Sequence, residues 1–213
     1  MKTILTSVLF LAAITVGAAQ SNKYQKAMET QVAVYDTARS IATLQRLMGA
    51  FGRIGAVEKT EWLPYYYAGM CATSLANAEP DKARTDTWAD QAETFVQKAD
   101  SLSPNNSEVS VLLATVHFAR INVDFMGRGP KYSALGGAAL GKALQQNPNN
   151  PRAMVVLAQL RLTAPDGFGG DKAEGCQLAT KAKGIYATEL ATSLQPHWGR
   201  GGADRLAAKC GEK

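Results

Sequence analysis

The sequence has little of what most metal and nucleophilic chemistry is built from. Of its 213 residues three are cysteine and two are histidine. Three cysteines cannot staple a disulfide scaffold, and His117 and His197, 80 positions apart, form neither a metal-binding cluster nor a histidine relay. Period-two alternation of apolar and polar residues is missing, so no strand is expected. Beyond the first nineteen residues no apolar run approaches the length that crosses a bilayer, so no membrane span is expected. The 23 basic and 18 acidic residues are interspersed and form no basic stripe with interleaved aromatics, which speaks against a nucleic-acid partner. The glycine-rich stretches lack the Gly-Lys-Ser/Thr of a phosphate loop, and Asp166 with Asp171 supplies too few carboxylates for calcium. No cofactor, metal or catalytic group is expected.

What is present is apolar and periodic. Residues AVILMFWYC make up 46% of the chain and charged residues 19%, enough to bury a substantial core. Residues 1–19 begin with Lys2, continue with the apolar run Ile4 to Val16 and close on Gly17-Ala18-Ala19, the layout of a cleavable secretory signal. The mature chain is expected to start at Gln20, with a net charge of +4 once Lys2 is removed from the +5 of the whole, and to be periplasmic or secreted. No cysteine follows closely enough to accept a lipid anchor. Apolar residues then recur at intervals of three and four, as in Leu44, Leu47, Met48, Phe51 and Ile54, or Trp88, Ala92, Phe95, Val96, Ala99 and Leu102. With Pro, Gly and Asn as punctuation, this spacing predicts helices over 22–36, 40–57, 62–77, 85–102, 107–121, 132–146, 151–163, 171–190 and 200–210.

Pro104-Asn105-Asn106 recurs as Pro148-Asn149-Asn150 one 44-residue step later, and Val111-Leu112-Leu113-Ala114 then aligns with Val155-Val156-Leu157-Ala158. An earlier copy begins at Trp62-Leu63-Pro64. The second helix of a unit ends in Ala92, Val96, Ala99, Pro104 and again in Gly136, Leu140, Ala143, Pro148. This pattern resembles the tetratricopeptide repeat over about residues 24 to 185. The resemblance implies an all-α, right-handed α-solenoid of antiparallel helix pairs, about three and a half repeats in one domain over 20–213, with a capping tail over about 191–213. The step is about ten residues longer than in that family, and the surplus is expected in neighbouring inserted loops at 77–86, 122–131 and 164–171. The Gly169-Gly170-Asp171 loop, the Trp198-Gly199 tail and the Trp62–Tyr67 segment also resemble small exported repeat proteins of Bacteroidota.

Helical spacing puts Trp62 and Tyr65 with Gly69 and Thr73, then Thr115 and Phe118 with Val111, then Arg152 and Gln159 with Val155, on the face that such arrays turn into a concave groove. Aromatics and arginine are residue types that anchor interfaces, and they equally serve as packing. Tyr66 and Tyr67 are expected in the core, as is Cys71 as a small apolar group. Cys176 and Cys210 either pair in an oxidising compartment or remain two thiols. Asp171 is expected to cap the helix beginning near Lys172. The leading functional expectation is a non-catalytic binding or assembly module that takes a protein or peptide partner in the groove. The alternative is a small-molecule or glycan carrier whose pocket is closed by the inserted loops, and an enzyme is the third class.

Overall fold

The computed structural model describes residues 22–165, 169–190, 192 and 194–211; the signal-peptide reading of residues 1–19 and the start at Gln20 lie outside them. Every regular element among the described residues is helical: α1 over 22–37, α2 Ile41–Val57, α3 Leu63–Ala78, α4 Lys82–Leu102, α5 Ser107–Ile121, α6 Phe125–Gln146, α7 Pro151–Thr163, α8 Lys172–Thr188 and α9 Arg200–Gly211. Each helix from α2 onward packs on the next, and α3 also touches α5, α5 touches α7 and α7 touches α9. The fold is therefore an all-α helical repeat, with the first helix of each pair forming an inner row. No described helix is long and apolar enough to cross a membrane.

Short polar side chains set where the helices begin. The side chains of Asp81, Asn106, Asp124, Asn150 and Asp171 each accept a hydrogen bond from a backbone N–H in the first turn of α4, α5, α6, α7 and α8. Each satisfies a donor that the helix itself leaves unpaired. Both Pro-Asn-Asn corners thus end in an asparagine cap. They differ one residue earlier: Asn105 has φ 60°, whereas the Asn149 N–H donates to the Asn147 carboxamide at 3.0 Å.

Two expected loops are corrected. Residues 122–131 are read from the sequence as an insertion because they hold Gly127, Gly129 and Pro130, yet α6 starts at Phe125 and runs through Pro130. Asp124 supplies the cap, its Oδ1 accepting from Gly127 N at 3.0 Å, and Pro130, inside the helix, removes one backbone hydrogen bond without ending it. Likewise 77–86 reduces to a turn at 79–81 between α3 and α4. The long step resides in long second helices, 21 residues in α4 and 22 in α6. Only 164–171 keeps a non-helical described stretch, folded back through Gly170 N to Pro165 O and Asp171 N to Arg161 O.

Helix α3 is buried on nearly all sides by Leu63, Tyr66, Tyr67, Cys71, Ala72 and Leu75, as a central helix must be. The core continues through α5 and α7, where Val111, Ala114, Leu140, Ala143 and Leu157 cluster, and closes where Ala203 and Leu206 of α9 cover Val155, Ala158, Ala179 and Ala182. Cys176 and Cys210 are joined by a disulfide that fixes α9 to α8, while Cys71 is a buried free thiol that burial pushes up to about 12.

At the second corner an ionic cluster links three elements. Arg152, its side chain 8% exposed, donates through Nε to both Glu108 oxygens at 2.9 Å and through Nη2 to Glu189 Oε1 at 2.9 Å. Asn150 caps α7 and donates to Ser107 Oγ and Glu108 Oε1 at 2.9 and 2.8 Å. Burial pushes the Glu108 carboxyl above its ordinary range, while Arg152 and Asn150 pull it back. Arg152→Met would leave two carboxylates facing each other without their cation. We expect it to lower the unfolding free energy by about 3–5 kcal/mol, read in urea melts; a loss below about 1 kcal/mol would show that the cluster does not hold the corner.

Candidate ligand cavity and the tail across the inner helices

The residues placed on one groove by helical spacing have separate environments. Arg152 is consumed by Glu108 and Glu189, and Thr73 is buried with its hydroxyl donating to Gly69 O. Thr115 likewise bonds back to Leu112 O. Trp62 packs edge-on against Tyr66, and the Tyr65 ring covers Gly55 beneath Lys98. Phe118 and Gln159 come together elsewhere, in a cavity.

The inner face is also occupied by the tail. Residues 194–199 return across the inner helices: Tyr67 Oη donates to Leu194 O at 2.9 Å, Trp198 Nε1 donates to Tyr66 Oη at 2.8 Å, and Tyr186 Oη donates to Trp198 O at 2.8 Å. Burial holds the three phenols well above their ordinary range, so they remain protonated. The Trp198 ring packs on the cluster that contains Val111 and Ala114. Gly199 has φ 105°, and a Cβ there would overlap Tyr186 Oη, so glycine is required at this bend. His197, without an evident companion in the sequence, lies with Nε2 3.0 Å from Asp36 Oδ1 at the end of α1. The tail is thus a strap over the inner face as well as a cap.

The cavity, about 460 Å³, opens between the end of α5, the start of α6 and α7. Phe118 and Ile121 form one wall, Phe125, Met126 and Pro130 a second, and Val156, Leu160 and Pro165 a third. Asn122, Ser133, Gln159 and Thr163 supply its polar groups. Phe125 and Met126 are 67% and 80% exposed, an unusual state for adjacent large apolar side chains. The cavity is thus lined from both sides by stretches the sequence reading treats as insertions, 122–131 and 164–171; Asp166, Gly167 and Phe168 lie outside the described residues.

Behind the cavity, polar contacts hold the walls in place. Arg128 of α6 donates to both Asp86 oxygens at 2.8 and 2.9 Å, Arg120 of α5 pairs with Asp90 and Glu93 at 2.7 Å, and Asn122 donates to Asn77 Oδ1 at 3.0 Å. His117 stacks on Tyr132, and burial lowers its pKa. Sequence reasoning missed Phe125 and Met126 because the following glycines and proline mask the helix; the signal that was present is Asp124, a cap residue directly before an apolar pair.

A helical-repeat chain with an apolar cavity among its later helices is the architecture of a small binding protein. Neither a family model nor a curated protein matches the chain, so the tetratricopeptide likeness remains a resemblance. Among solved structures, the HusA haemophore from Porphyromonas gingivalis matches at 32% identity with a TM-score of 0.80, over 88% of this chain and 92% of its own. The chain belongs to the family of that haemophore, in keeping with its likeness to small proteins of Bacteroidota.

Gly136 sets the distance between α5 and α6, because a Cβ there would overlap the Phe118 ring that forms the cavity wall. Gly136→Ala therefore forces the ring or the helix to move, and we expect a loss of about 1–3 kcal/mol in unfolding free energy, measured by thermal or urea denaturation. An unchanged stability would mean that the ring yields freely.

Proposed function

We propose that this protein is an exported carrier that binds haem or a closely related porphyrin in the cavity between α5, α6 and α7. The observation that carries the reading is the pair of exposed side chains, Phe125 and Met126, at the mouth of an apolar cavity of ligand size. Free apolar surface of this kind gains from being covered, and a flat aromatic ring with apolar faces covers it well. The family relation to a haemophore narrows the ligand class. The signal-like residues 1–19 support export.

The expectation that a partner segment lies in the inner groove has less support, because residues 194–199 of the chain itself cross that face. The reading is of a binding protein, without a catalytic step. Among the described lining residues Met126 supplies the sulfur, and none is His, Cys, Tyr or Lys. In this reading affinity comes chiefly from burial of the ring.

Titration with haem, followed by its absorbance, should show saturable binding. Replacing both Phe125 and Met126 by alanine should weaken binding about 10- to 100-fold, the loss expected from uncovering large apolar groups. The melting temperature should stay within a few degrees, because both side chains are exposed in the free protein. Metal-free protoporphyrin should bind within about tenfold of haem. Unchanged binding in the double variant would place the ligand elsewhere, and failure of protoporphyrin to bind would show that the iron is essential.

A further inference from the structure

A second cleft adjoins the cavity and has a different character. It lies between α7, the tail and α9, has a volume of about 410 Å³ and shares Val156 and Gln159 with the first. Val155, Val156 and the Trp198 ring give it apolar walls. Arg205 and Lys209, one helical turn apart on the same side of α9, bring two cations to its edge. Both are exposed, and among the described residues neither forms an ion pair.

Most other basic side chains near the cavity are already engaged. Arg120 and Arg128 are held by acids of α4, Arg152 by Glu108 and Glu189, and Arg161 by Glu174. Arg205 and Lys209 are thus unpaired cations at the edge of a cleft that shares Val156 and Gln159 with the apolar cavity. The disulfide at Cys210 sits next to Lys209 and fixes α9, the helix that carries both cations, against α8.

From this juxtaposition we propose that the cleft is the carboxylate-binding part of the ligand site, with Arg205 and Lys209 receiving the acidic side chains of the tetrapyrrole whose ring lies in the adjoining cavity. This inference rests on the carrier reading. Porphyrins of the haem type carry propionate groups along one edge of an apolar ring, and the two neighbouring cavities present the matching sequence: apolar first, then cationic. Exposed cations leave the carboxylates partly hydrated, so they add orientation and selectivity to a ring bound by burial.

The test compares protoporphyrin IX with its dimethyl ester, which keeps the ring and removes both charges. The natural chain should prefer the diacid, and Arg205→Gln with Lys209→Gln together should weaken diacid binding about 5- to 20-fold. Ester binding should be unchanged, and the diacid preference should shrink as salt is raised. An equal loss for both ligands, or no loss for either, would overturn the proposal while leaving ring capture in the first cavity intact. Capture of neither ligand by the natural chain would overturn this proposal, and failure of haem to bind as well would overturn the carrier reading.

Discussion

A single buried guanidinium constrains most of this architecture. Arg152 sits where the N-termini of α5 and α7 meet the C-terminus of α8, and it can be buried only because Glu108 and Glu189 both reach it. Removing charge from water is costly, and here the cost is offset by opposite charges in bidentate geometry and by the Asn150 amide, which occupies the remaining side of Glu108. The pairing fixes the register of one repeat on the next. It also positions Tyr186, whose hydroxyl anchors the tail at Trp198.

From that anchor the rest of the site follows. The tail crosses the inner row of helices and bonds to Tyr66 and Tyr67, so the face that a repeat protein would offer to a peptide is covered by its own chain. Open apolar surface remains at the opposite end of the inner helices, where α6 begins early and lifts Phe125 and Met126 over the end of α5. The arrangement leaves the edge cavity more open than the groove, and a cavity of this shape suits a flat apolar ligand better than an extended segment.

Much of the fold is legible in the sequence, and the reasons are local. The 44-residue echo of Pro-Asn-Asn marks two corners because asparagine caps a helix wherever the chain turns after a proline. Periodic Ala, Leu and Val mark the packed faces because α3, α5 and α7 must be buried on more than one side. The start of α6 is misread because its capping signal is a single aspartate, outweighed by Gly127, Gly129 and Pro130. The site is less legible, since helical spacing assigns Arg152 and Phe118 to one face but cannot show that an ionic cluster claims the former and a cavity the latter. The tail is the largest gap: contacts such as His197 with Asp36, 161 positions apart, leave no local trace in the chain.

The most direct measurement of the central claim is a crystal structure of the protein loaded with haem. The account predicts the ring in contact with Phe118, Phe125, Met126 and Leu160, with residues 194–199 still bound to Tyr66 and Tyr67. A ring found on the inner face, with Trp198 displaced and the edge cavity empty, would contradict it.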